Sequence, residues 1–139
     1  MAKIFEVKSE TELPIVATYI KDSYPNGGVF LLDGDLGYGK TALVRSFAAL
    51  FGLDGDVSSP TFAVMNEYGG KIFHYDFYNF GTDTYFEKGM FEYLEEGGWH
   101  FMEWSDEKIE KFLSGAGMKF VKITITREKE IRFYGIEDA

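Results

Sequence analysis

The chain has no cysteine. That excludes a disulfide scaffold and any thiolate metal centre, and it is compatible with a reducing compartment. Proline is scarce, and two of the three, Pro25 and Pro60, fall in segments that read as loops. Arginine is scarcer still for the size of the chain: Arg45, Arg127 and Arg132 are the only ones. Lysine and arginine together number 14 against 23 acidic residues, a formal charge of −9. A protein that binds nucleic acid by itself normally carries a basic face, and here the basic residues are scattered and outnumbered. Direct, independent binding to RNA or DNA is therefore not expected, although a role reached through a basic partner is. No apolar run approaches the length of a membrane span. The first residues, Met1 to Lys8, carry charges throughout and do not read as a secretory signal. A soluble cytoplasmic protein is expected.

What is present is a core and a motif. The chain has 139 residues, 45% of them hydrophobic and 18% aromatic, enough for one domain with a substantial interior. Residues 34–41 read Gly34-Asp35-Leu36-Gly37-Tyr38-Gly39-Lys40-Thr41, the G-x-x-x-x-G-K-T pattern of a phosphate-binding loop. Val29 to Leu32 before it read as a buried strand, and Ala42 to Phe51 after it are apolar at helical spacing, closed by Gly52. Glycines let consecutive N–H groups curl toward an anion, and the helix opening near Lys40 adds its positive end. The nucleotide-contacting stretch is thus Gly34 through Ala42. Lys40 is expected on the β and γ phosphates and the Thr41 hydroxyl on Mg²⁺.

The rest of the chain arranges itself around that loop. Ile4 to Val7 reads as a strand. Ser9-Glu10-Thr11-Glu12 reads as a capping box, with Thr11 as the alternative helix start that leaves Pro14 in the first turn. Phe62 to Tyr68 and Lys71 to Tyr78 read as a hairpin across Gly69-Gly70. Trp99 to Trp104 reads as a strand, followed by a helix capped by Ser105 or Asp106. Phe120 to Thr126 and Ile131 to Tyr134 read as a closing hairpin.

A phosphate loop needs a carboxylate at a strand end to hold Mg²⁺ or its water. Two segments end that way: Ile72-Phe73-His74-Tyr75-Asp76 and Trp99-His100-Phe101-Met102-Glu103. Thr61 lies in a loop from which a hydroxyl reaches the γ-phosphate side. His74 shares a strand face with Asp76 and is a candidate for the site lining; a structural histidine is the alternative. Trp104 is a stacking candidate against a base or a partner, with a core role as the plain alternative. His100 reads as structural.

Five ordered motifs together resemble the TsaE family, the small ATPases of bacterial tRNA threonylcarbamoyladenosine synthesis. They are Gly34 to Thr41; Ser59-Pro60-Thr61-Phe62 with Glu67-Tyr68; His74-Tyr75-Asp76-Phe77-Tyr78; Glu87 with Gly89-Met90-Phe91-Glu92-Tyr93; and Glu103-Trp104. They cover residues 9 to 104 or so. Two positions depart from the family pattern: Asn79 stands where an arginine is usual, and Tyr38 where a small residue is usual.

The resemblance implies an α/β fold, a P-loop NTPase-like three-layer sandwich with a mixed parallel and antiparallel sheet. It implies ATP and Mg²⁺ as cofactors, the metal held by Thr41 and Glu103, and Asp76 and Thr61 near the γ-phosphate and attacking water. It places the adenine near Thr11. It implies TsaD and TsaB as partners, with tRNA met only through that complex. Two other readings compete. A small P-loop kinase needs several arginines and a second substrate site, and neither is evident. A nucleotide-dependent binding module differs only in turnover. A GTPase fits less well than either, because neither D-x-x-G nor N-K-x-D follows the loop. Arg45 is five residues beyond Lys40, and Arg127 and Arg132 sit in the last hairpin, away from every motif placed at the γ-phosphate. Slow turnover, stimulated by partners that bring an arginine, is the expectation.

Overall fold

The computed structural model describes residues 2–35, 37, 39–55, 64–79 and 81–138. Seven strands form one sheet: β1 (Lys3–Val7), β2 (Gly27–Asp33), β3 (Met65–Tyr68), β4 (Ile72–Asp76), β5 (Gly98–Glu103), β6 (Val121–Glu128) and β7 (Ile131–Asp138). Their spatial order is β1-β7-β6-β2-β5-β4-β3. Strands β6, β2, β5 and β4 are parallel neighbours; β7, β1 and β3 attach antiparallel at the two ends. The sheet is the expected mixed one, and the P-loop strand lies at its centre.

Composition explains why β2 is central. Val29, Phe30, Leu31 and Leu32 are all buried, so both faces of the strand are apolar, as a doubly covered parallel strand requires. Phe30 and Leu32 face one core with α1 (Leu13–Ser23) and α2 (Lys40–Leu50), where Val16, Val44, Phe47 and Phe101 pack. Val29 and Leu31 face the other core, with Phe73, Tyr75, Met102 and Leu113. That second layer is made by α3 (Asp83–Glu87), a 3₁₀ stretch at Met90–Glu96 and α4 (Glu107–Gly115). Strand β6 alternates instead: Val121, Ile123 and Ile125 are buried and the residues between them are exposed. Among the described residues no helix is long and apolar enough to cross a membrane.

Local signals act as the residue types dictate. Gly69 and Gly70 both take positive φ at the centre of the turn between β3 and β4, which the Lys71 N–H closes by donating to the Tyr68 carbonyl at 3.1 Å. Asp106 is the cap of α4, its carboxylate accepting from the Lys108 and Ile109 N–H groups. The capping box at Ser9 does not form as read. A 3₁₀ turn spans Glu10–Glu12 and α1 begins at Leu13, with Pro14 in its first turn. Glu12 reaches back to the Lys8 N–H at 2.6 Å, while the Ser9 and Thr11 hydroxyls bond each other at 2.7 Å. In a helix opened at Ser9, Pro14 would stand in the second turn without the N–H that should bond the Glu10 carbonyl, whereas a start at Leu13 puts it in the first turn, where no such bond is needed. The expected start of β3 at Phe62 falls outside the described residues.

Candidate nucleotide site

The phosphate loop lies at the carboxyl end of the sheet, where β2 ends and α2 begins. Parallel strands on both sides of β2 leave a crevice there, the usual place for a ligand in an open α/β sheet. Three glycines shape the loop for different reasons. Gly34 packs against β6 so closely that a Cβ would meet the Ile125 carbonyl oxygen at 2.9 Å. Gly37 and Gly39 take φ of 78° and 104°. Gly39 is the N-cap of α2 and brings no side chain to cap it, so the first N–H groups of the helix keep no side-chain partner. Leu36 and Tyr38 lie outside the described residues, as does Thr61.

Lys40 is buried, with 4% of its surface exposed. Its ammonium donates to the Gly34 carbonyl at 2.5 Å and stands 3.7 Å from the centre of the Trp104 ring. Burial pulls its pKa down from the usual lysine value, while Glu103, Asp76, Asp33 and Asp35 pull it back up. Trp104 is half-buried at the end of β5 with φ 59°, an uncommon conformation for a bulky residue. It packs on Tyr78 at 4.9 Å. It is thus neither plain core nor a free platform: it faces the P-loop lysine.

The two acids differ sharply. Glu103 and Asp76 are partners in register across β5 and β4. Glu103 is 3% exposed; one of its carboxylate oxygens accepts from the Thr41 hydroxyl at 2.9 Å and also bonds His74 Nε2. Burial pushes the Glu103 carboxyl up, but His74, Thr41 and Lys40 together outweigh it and hold the pKa below the usual value. It is therefore ionised at neutral pH. Asp76 is exposed and accepts from the Tyr78 N–H at 3.0 Å, which leaves its other oxygen available. A hydroxyl and an ionised carboxylate within hydrogen-bond reach at a helix N-terminus are hard oxygen donors of the kind that Mg²⁺ takes alongside substrate phosphates. The residues present fit that ion.

His74 is brought into the site by its bond to Glu103. His100 is in the core, with Tyr75 and the Gly97 carbonyl as its partners at 2.9 and 2.8 Å. Thr11 is exposed and lines no part of the P-loop cavity; its neighbour Glu10 does.

The placement of Arg132 corrects the sequence reading. Its guanidinium lies against the P-loop: a Cβ on Gly39 would come within 2.6 Å of both Arg132 Nη1 and the Tyr134 hydroxyl. Tyr134 is fully buried and its hydroxyl donates to the Gly39 carbonyl at 3.2 Å. Burial raises the Tyr134 phenol and the Arg132 charge pulls it down. Arg132 lines the cavity with Lys40, Thr41 and Glu103. The sequence carried a usable signal: alternation puts Arg132, Tyr134 and Ile136 on one face of β7. What it lacked was the strand order that sets β7 two strands from β2.

Comparison with known proteins bears on what the loop serves. The family described as Threonylcarbamoyl adenosine biosynthesis protein TsaE matches residues 7–133. A tRNA threonylcarbamoyladenosine biosynthesis protein TsaE from Bacillus subtilis is 32% identical over 111 residues, 72% of this chain and 70% of that protein. Proteins of the same name from Haemophilus influenzae and Synechocystis are 36% and 46% identical over 80 and 61 residues. Those stretches take in 55% and 42% of this chain, and 51% and 39% of the relatives' own lengths. The crystal structure of Bacillus subtilis YdiB superposes on 99% of this chain and 86% of its own with a TM-score of 0.60 at 21% identity, a likeness of fold.

Proposed function

The chain belongs to the TsaE family, whose members serve tRNA threonylcarbamoyladenosine biosynthesis, and on that premise we propose that it is the ATP-binding and slowly ATP-hydrolysing subunit of that machinery. The observation that carries the reading is the Lys40–Thr41–Glu103 arrangement at the N-terminus of α2. Glycine-shaped backbone and uncapped N–H groups bind the phosphates, and Lys40 moves from Gly34 onto them. Thr41 and Glu103 would hold Mg²⁺, which would supply charge neutralisation to the bound polyphosphate. His74 fixes the Glu103 carboxylate. Asp76, in register beside it and exposed, orients the attacking water.

The protein acts in the cytoplasm with TsaD and TsaB and meets tRNA only through them. No arginine is placed on the β5–β4 flank where Asp76 stands, Arg132 being on the opposite, β7 flank, and Asn79 follows Asp76 in the motif. Hydrolysis by the isolated chain is accordingly slow, and a partner that brings positive charge to the transferring phosphoryl accelerates it, by about 10³–10⁵-fold where that charge is an arginine. The net charge of −9 suits docking on a more basic surface. The test is steady-state phosphate release from ATP, alone and with TsaD and TsaB at fixed salt. Slow release alone and marked stimulation are expected. Fast release alone, or no change with partners that demonstrably bind, contradicts the proposal.

A further inference from the structure

The P-loop cavity does not end at the loop. A second cavity, lined by Lys8, Ser9, Arg127 and Glu130, adjoins it, and Arg132 and Glu10 line both. The two share a wall because of the strand order. β6 is parallel to β2, and β1 is antiparallel to β7 as β7 is to β6, so β1 and β6 both end on the P-loop edge. The residues after β1 and the β6–β7 turn therefore rise on one flank of the loop. Glu103, His74 and Asp76 occupy the other flank, on β5 and β4, with Thr41 reaching Glu103 from the start of α2.

Arg132 is fixed at the junction. Val7 and Arg127 are its register partners on the two sides of β7. Its side chain extends past the buried Tyr134, whose hydroxyl is itself anchored on the Gly39 carbonyl. Arg127 is occupied with Glu130 and the Lys129 carbonyl. Among the described residues no carboxylate lies within ion-pair distance of Arg132. A guanidinium held against the glycine that opens an anion-binding helix, without a carboxylate to neutralise it, is a charge placed for an anion.

We propose that Arg132 is the chain's own phosphate-binding arginine, and that it contacts the phosphates shared by ADP and ATP rather than the γ-phosphate. The inference rests on the reading of the loop as an ATP site and adds to it a residue and a position. Phosphates seated on α2 with the γ-phosphate toward Glu103 have their nucleoside end toward β7, and that end passes Arg132. A Cβ on Gly39, which its φ of 104° already disfavours, would also press on the group proposed to bind the ligand.

The experiment is calorimetric titration of wild type, Arg132→Ala, Arg132→Lys, Lys40→Ala and Arg45→Ala with ADP and with ATP. Arg45 is exposed on α2 and serves as the control. Arg132→Ala is expected to weaken ADP and ATP by the same factor, about tenfold to a hundredfold. Arg132→Lys recovers part of the loss and Arg45→Ala changes nothing. A second measurement covers the case in which Arg132→Ala does not fold: phenylglyoxal modification of the wild type, mapped by mass spectrometry, with ADP protecting Arg132 and not Arg45. Wild-type affinity in Arg132→Ala, or no protection of Arg132, overturns the proposal while a Lys40→Ala defect leaves the ATP site standing. Weakened ATP with unchanged ADP also overturns it, by moving Arg132 to the γ-phosphate. Absence of nucleotide binding by the wild type overturns the site and the arginine together.

Discussion

Glu103→Gln separates the metal role proposed for this residue from its structural one. The Thr41 hydroxyl and His74 Nε2 bond the same oxygen of the Glu103 carboxylate. A glutamine that keeps its carbonyl oxygen there retains both partners, so the fold is preserved. What changes is the charge and the second oxygen, which carries no hydrogen bond among the described residues and becomes an NH₂ that cannot ligate a cation. A contact to a charged group is worth about 1.5–3 kcal/mol, so the Mg²⁺-dependent part of ATP affinity is expected to fall about tenfold to a hundredfold. In EDTA the sign reverses. The wild type then brings a bare carboxylate near the phosphates, and the variant is expected to bind ATP at least as tightly as the wild type. The assay is equilibrium titration of ATP with and without Mg²⁺ on both proteins. An unchanged Mg²⁺-to-EDTA affinity ratio in Glu103→Gln refutes the assignment. Asp76→Asn is the complement: near-normal binding with reduced hydrolysis, and the reverse pattern exchanges the two roles.

Two further predictions concern the frame that holds the site. Tyr85 is fully buried and its hydroxyl has no hydrogen-bond partner among the described residues. Tyr85→Phe keeps the packing on Tyr75, Phe77 and Phe86 and removes a desolvated group, so it is expected to stabilise by about 1–3 kcal/mol and raise the melting temperature by at least ~3 °C; a lower melting temperature shows that the hydroxyl is satisfied. His100 is held by burial at about 4, against an ordinary value of 6.5. The unfolded chain therefore takes up that proton first, and stability is lost as pH falls from 6.5 toward 4, by about 3 kcal/mol in all. Glu103, also held low, contributes only below its ordinary 4.5, so the difference between wild type and His100→Gln in urea midpoints at pH 7 and pH 5 reads His100. A His100→Gln curve with the same pH slope as the wild type contradicts this.

Much of the fold was legible because its signals are local. The fully apolar β2, the Gly69-Gly70 turn and the Asp106 cap each depend on a few neighbouring residues, and each formed as read. The motif called for a carboxylate at a strand end and left Asp76 and Glu103 both open; Glu103 as the partner of Thr41 came from the family resemblance, and the two side chains do meet. The start of α1 was not, because the capping box competes with Pro14, and the outcome depends on which N–H groups remain to be capped. Arg132 was missed for a different reason. Its position is set by non-local pairing of β7 with β1 and β6, and spacing along the chain is silent on strand order. Lys40 was read as a phosphate ligand; its contacts with the Gly34 carbonyl and the Trp104 ring depend on tertiary packing that spacing does not reveal.

The central claim is that residues 34–42 form an ATP site whose affinity depends on Lys40. It is tested most directly by titrating Mg·ATP into the wild type and Lys40→Ala under the same conditions. The ammonium contact is worth about 1.5–3 kcal/mol, so Lys40→Ala is expected to bind about tenfold to a hundredfold more weakly. Equal affinity of the two proteins for Mg·ATP would contradict the account.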